Sequence, residues 1–140
     1  MTFLPDVNVW LALASQRHAH SVSCGEWLES VAPEGALFCR VTQMGLLRLL
    51  TNATVMGDDV VTSRDAWRAY RTILADERIG FAPEPLALEE HWRKLTSLDG
   101  PAPKLWTDAY LSAFARAAGL RFVSLDRAIL AIAPDALLLR

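Results

Sequence analysis

The chain has 140 residues, 52% hydrophobic and 21% charged, which suits one domain (residues 1–140) with a real core and excludes a disordered chain. The net charge of −2 excludes a domain that is basic all over, though not an enzyme that meets phosphates through a metal and a local arginine patch. No apolar run is long enough to cross a bilayer, and no basic stretch precedes an apolar one at the start, so a cytoplasmic chain with no membrane segment is expected.

Read in chain order, Met1 to Pro5 is a short apolar strand ending at Asp6, and a helical pattern follows through Val7, Val9, Trp10, Leu11 and Leu13. A second helix is predicted from His20 to Val31, with Val22, Trp27, Leu28 and Val31 on its buried face. Pro33-Glu34-Gly35 is a turn, Ala36 to Arg40 a buried strand, and Thr42 the cap of a helix carrying Met44, Leu46, Leu47, Leu49 and Leu50. Amphipathic helices are expected at Ser63 to Ala75 and Pro85 to Leu98, with a short strand at Ile79 to Ala82 between them. Asp99 to Pro103 is a loop, because two prolines and a glycine do not sit inside an element. Thr107 opens a helix that runs to Ala118 and stops at Gly119, and Leu120 to Leu125 is a strand ending at Asp126. A short helix stopped by Pro134 and an edge strand at Ala136 to Leu139 complete the chain.

Short apolar strands alternating with helices predict an α/β fold: three α/β/α layers around a central, mainly parallel sheet of about four or five strands. Ligands in such sheets bind at the carboxyl ends of the strands. Asp6 and Asp126 stand directly after two of those strands, and Asp108 lies in the first turn of a helix that starts at the same edge. Each aspartate by itself suits a helix start, where it caps free amides and favours the dipole. Three converging carboxylates repel one another unless a hard divalent cation sits among them, and an open, oxygen-rich site suits Mg2+ or Mn2+. Metal-assisted phosphoryl transfer is the chemistry such a cluster performs.

Three segments carry a family resemblance: Leu4-Pro5-Asp6-Val7-Asn8-Val9, then Thr42 through Asn52, then Thr107-Asp108-Ala109-Tyr110-Leu111 with Ser124-Leu125-Asp126. In this order the chain resembles a PIN domain, and more narrowly the VapC-type ribonuclease toxins of bacterial toxin–antitoxin pairs. The resemblance implies a metal-dependent endoribonuclease that cuts RNA. Asp6 and Asp108 would be its principal Mg2+ (or Mn2+) ligands, and Asp126 a supporting acid that holds the metal or its water. It also implies a homodimer and a VapB-like antitoxin that blocks the active site. One departure is clear: PIN domains usually carry a further acid, commonly glutamate, at the position of Gly45. Gln43 lies nearby and can hydrogen-bond a metal-bound water but brings no charge, and a carboxylate installed at Gly45 is expected, if it fits, to tighten metal binding. The departure keeps a second reading open, a PIN fold of weakened catalysis that serves as a binding module.

Other residue patterns carry less. His18 and His20 point to different faces of a helix, His91 is distant, and no zinc spacing exists. Cys24 and Cys39 read as two buried free thiols. Twelve of the fourteen basic residues are arginine, which suits phosphate oxygens and is equally produced by a GC-rich genome. Arg64, Arg68 and Arg71 share a helix face beside Trp67 and Tyr70; a solvated face is preferred over an RNA-tracking stripe. Arg48, inside the matched second segment, ranks above them as an RNA contact, or it braces a carboxylate. Trp10, Leu11 and the apolar face of the Pro85–Leu98 helix suit a partner or the core equally well.

Overall fold

A computed structural model describes all residues, Met1 to Arg140. Its elements in chain order are β1 (Phe3–Pro5), α1 (Val7–Ala14), α2 (Ser21–Glu29), β2 (Ala36–Phe38), α3 (Arg40–Leu50), α4 (Ala53–Met56), α5 (Ser63–Leu74), β3 (Ile79–Phe81), α6 (Leu88–Thr96), α7 (Leu105–Ala118), β4 (Arg121–Ser124) and β5 (Leu137–Leu138). Single 3-10 turns at Gly57–Asp59 and Arg127–Ala131 complete the path. The strands form one five-stranded sheet in the order β3-β2-β1-β4-β5, and every pairing is parallel.

Because side chains alternate across a strand, each short apolar strand feeds both faces of the sheet. Ala36, Phe38 and Val123 enter one core with Val9, Trp10, Leu46 and Tyr70 of α1, α3 and α5. Leu4 and Phe122 enter the other, with Leu88, Leu111 and Phe114 of α6 and α7. Three layers result, as the sequence pattern predicts, with β1 central. Pro5 ends β1 and has no N–H, and the ladder resumes at Asp6, whose N–H donates to the Val123 carbonyl at 2.9 Å. The chain then turns at once into α1, which fixes Asp6 at the carboxyl end of the central strand.

Several boundaries differ from expectation. β2 stops at Phe38, because Cys39 already occupies the cap position of α3. Thr42 is therefore not the cap. It is the third helical residue, and its Oγ1 accepts from the Cys39 N–H at 3.0 Å. α7 begins at Leu105, two residues before Thr107, with no side-chain cap at its start. Gly119 does end it, in the left-handed conformation at φ +70°. α2 is shorter than expected, and His18 and His20 precede it rather than lying in a helix. Val22 is 74% exposed, off the buried face. α6 is likewise shorter, because the Pro85–Ala87 segment stays outside the helix. α4 and its following 3-10 turn lie where the sequence shows no clear periodicity.

Trp10 and Leu11 are buried in the core, so neither is available to a partner. The apolar face of α6 packs on α7 through Leu88, Trp92 and Leu95. No helix is long and apolar enough to cross a membrane.

Candidate active site

Asp6 is the cap of α1: Oδ1 accepts from the Val9 N–H at 3.1 Å. Its other oxygen, Oδ2, accepts from the Ser124 hydroxyl at 2.5 Å. Ser124 Oγ in turn accepts from the Asp126 N–H at 3.0 Å, and Asp126 Oδ1 caps the next turn at the Ala128 N–H, 2.9 Å away. The fully buried Ser124 thus ties the end of β1 to the end of β4. Sequence reading assigns it no role, although a buried hydroxyl closing an apolar strand demands a partner, which is the signal that finds it.

Asp108 is different. It is the fourth residue of α7, only half-buried, and its carboxylate takes no hydrogen bond from any amide and no ion pair. Capping accounts for Asp6 and Asp126 in part, but not for Asp108. All five ion pairs of the molecule lie elsewhere.

The electrostatics record this lack of compensation. Burial pushes the Asp6 carboxyl above its ordinary value, opposed by the Ser124 and Val9 hydrogen bonds and reinforced by the charge of Asp108. Burial also raises Asp108, with the charge of Asp126 adding to it. The three carboxylates therefore interact as a chain, Asp6 to Asp108 to Asp126, at the edge the sequence predicts. They do not close into a cage, and no three His, Cys, Asp or Glu residues stand close enough to hold a metal between them.

The donor set nevertheless fits a hard cation. It consists of carboxylate oxygens that no arginine or lysine neutralises, two of them raised by burial with a neighbouring acid adding to it. Soft or nitrogen ligands are not at hand. Burial and the charge of Asp6 push the Cys24 thiol up to about 11, so it stays protonated at neutral pH. Cys39 is a second buried free thiol. His18 Nδ1 accepts from the His20 N–H at 3.0 Å, and His91 lines a cavity among α6, α7 and the residues before β5.

Beside the acids, a cleft of about 450 Å³ is lined by Val7, Asn8, Val41, Met44, Gly45, Arg48, Leu49 and Thr107. Val7 and Thr107 in its lining are the chain neighbours of Asp6 and Asp108, though none of the three acids lines it. Arg48 lies exposed in it and braces no carboxylate, which leaves its charge free. Gln43, by contrast, is buried, with its Oε1 accepting from Arg40 Nη1 at 2.5 Å. Gly45 is a packing residue: a Cβ there would lie 2.5 Å from Val7 Cγ2. A side chain at Gly45 therefore requires Val7 to shift, and a carboxylate there can join the metal ligands only where Val7 gives way. Arg64, Arg68 and Arg71 are exposed on α5, Arg68 pairing with Asp65 at 3.5 Å. Tyr70 is buried, while Trp67 is 45% exposed.

The chain has relatives of known family and fold. The PIN domain family model matches residues 3–134. Ribonuclease VapC41 of Mycobacterium tuberculosis is 47% identical over 130 residues, covering 89% of each chain. The crystal structure of VapC20 of M. tuberculosis, described as a sarcin-ricin loop cleaving toxin, superposes with a TM-score of 0.66 at 20% identity, covering 93% of this chain and 94% of that one. A toxin–antitoxin complex from Klebsiella pneumoniae superposes with a TM-score of 0.62 at 18% identity, covering 97% and 96%. A domain match over nearly the whole length, a relative at 47% identity and an all-parallel sheet with its acids at the carboxyl edge lead to one conclusion: the chain belongs to the PIN-domain family, in its VapC branch.

Proposed function

We propose that this protein is an endoribonuclease toxin that hydrolyses RNA phosphodiester bonds at the Asp6–Asp108–Asp126 edge, with a divalent cation, Mg2+ or Mn2+, held by Asp6 and Asp108. The observation that carries the reading is Asp108, a partly buried carboxylate with no hydrogen-bond or ion-pair partner, raised by burial and by a neighbouring acid. When bound, the cation lowers the pKa of an attacking water and offsets charge on the phosphate and the leaving oxygen. The chain's own residues do the rest. Val9 N–H and Ser124 Oγ hold Asp6 in one orientation. Asp126 adds negative charge beside Asp108, which favours a cation there over a free phosphate. Arg48, free in the adjoining cleft, holds a neighbouring phosphate of the RNA backbone.

The relative named a ribonuclease supports the reaction class. The structural likeness to a toxin–antitoxin complex supports neutralisation by a cognate VapB-like antitoxin. A homodimer belongs to the same reading. Met44 and Trp67, 49% and 45% exposed on the adjacent helices α3 and α5, offer apolar area for it. Gly45 packs against Val7, so its presence does not by itself favour a binding module.

The test is cleavage of a structured RNA pool by purified protein, with Mn2+, Mg2+ and EDTA in parallel and an Asp6→Asn control. Cutting that needs both metal and Asp6 is expected. A folded, metal-loaded protein that leaves RNA intact would refute the nuclease.

A further inference from the structure

A second cavity lies at the amino end of β4, the opposite edge of the sheet from the acids. It holds about 320 Å³ where α6, α7, the start of β4 and the residues before β5 meet. Ala115 and Arg116 in its lining are roughly 10–12 Å further along the α7 axis than Asp108, so the cavity stands apart from the acidic site. Its floor is apolar: Ala115, Phe122 and Ala133 are buried and Leu95 is half-buried. The buried Ser112 hydroxyl donates to the Ile132 carbonyl at 3.2 Å, which fastens α7 to the wall that residues 132–135 supply. The rim is basic. His91 and Lys94 come from α6 and Arg116 from α7, against a single acid, Asp135. Lys94 meets Glu90 at 3.6 Å with both side chains largely exposed, and Arg116 pairs with no acid. Arg121 adds a further cation: its Nε donates to the Asp135 carbonyl at 2.9 Å, and it lines an adjoining cleft with Gly119 and Leu120.

Lys94 and Arg116 stand in the last turns of α6 and α7, where a cation suits the helix dipole. The dipole asks for no hollow beside them, and it does not account for His91 and Arg121 at the same place. We infer that this cavity is a binding site for a small organic anion, a carboxylate or phosphate carried on a compact apolar body. The volume is at the lower end of small-ligand sites. It equals the space of roughly ten waters, which suits a body of about ten non-hydrogen atoms. The body rests on Phe122, Ala115 and Ala133, where its burial supplies affinity without any polar match. The head lies at the rim, where the Arg116 guanidinium offers a planar fork to two oxygens at once and Lys94 adds a point charge. His91 contributes a ring N–H. A neutral molecule of the same shape gains the floor but not the rim, and inorganic phosphate gains the rim but not the floor.

The test is titration of the 15N-labelled full chain with benzoate and with phenyl phosphate, followed by amide chemical shifts; toluene and inorganic phosphate serve as the half-matched probes. Saturable shifts are expected at Ala115, Gly119, Leu120, Phe122 and Ala133, with a Kd of roughly 0.1–5 mM for one or both organic anions. Toluene and inorganic phosphate should each bind at least about tenfold more weakly. Arg116→Gln, an exposed change at the end of α7, should weaken the organic anion by about tenfold or more. Arg64→Gln, which removes an exposed cation on α5, should leave its Kd unchanged. The amide spectrum of each variant shows whether it is folded, and Lys94→Gln replaces Arg116→Gln if the latter is not. No saturable shift up to about 20 mM would overturn the inference. So would shifts scattered over the surface, toluene binding as tightly as benzoate, or equal losses in Arg116→Gln and Arg64→Gln. RNA cleavage plays no part in the measurement, so its outcome is independent of the nuclease reading.

Discussion

Asp76 and Asp6 are the same residue type at opposite ends of one sheet, and the fold treats them in opposite ways. Asp76 stands before β3 at the amino edge. Its Oδ1 accepts from the Arg78 N–H and Nε, each at 2.9 Å, and its Oδ2 from Arg78 Nη2 at 2.7 Å. Those bonds hold its carboxyl down at about 2. Asp6 and Asp108, at the carboxyl edge, have no basic partner and are raised. A structural acid is neutralised where it stands. In the proposed reading, an acid left without a basic partner in a partly buried place serves a charge that arrives with the ligand.

The sharpest way to break this comparison is Asp108→Asn, nearly isosteric and without the charge. RNA cleavage should fall by at least about a thousandfold. The metal-free melting temperature should hold or rise, because repulsion is removed. Mn2+ should raise the melting temperature of wild type and no longer that of the variant. Wild-type turnover in the variant, or a large loss of stability without metal, would make Asp108 an ordinary structural acid.

Adding a fourth acid sharpens the contrast from the other side. Gly45→Glu should destabilise the protein by about 1–3 kcal/mol in urea unfolding, because its Cβ meets Val7 at 2.5 Å. The additional substitution Val7→Ala should recover most of that loss. Titration calorimetry showing tighter Mn2+ binding by the single variant, with stability unchanged, would mean that α3 can move aside.

Asp76→Ala has the smallest expected effect, about 1–2 kcal/mol at neutral pH, with cleavage unaffected. Its pH dependence has a definite sign. Asp76 is depressed in the folded state, so its contribution is present above the unfolded value of 3.8 and is lost as pH falls towards about 2. Asp6 and Asp108 are raised, so the folded state binds their protons more tightly. Their contribution is present below the unfolded value and is lost as pH rises through the folded-state values. Urea titrations of metal-free protein across the acid range should therefore show the Asp76→Ala deficit shrinking at low pH, and Asp108→Asn gaining on wild type as pH rises.

The sequence by itself determined the layered α/β class, the parallel sheet and the position of the acids. Short apolar strands, two of them followed by an aspartate, and a helix stopped by Gly119 are local signals that chain physics reads directly. Helix starts were less legible: the cap position of α3 is Cys39 and that of α7 is Lys104, neither a residue that advertises a cap. Contacts across long sequence separations were not legible at all. The Ser124–Asp6 bond joins residues 118 apart, and only the pairing of β1 with β4 brings them together. The closeness of Val7 to Gly45 and the freedom of Arg48 are likewise products of helix packing. Which acids are neutralised and which are left waiting is decided by the neighbours that tertiary structure supplies, because burial and charge act through space and not along the chain.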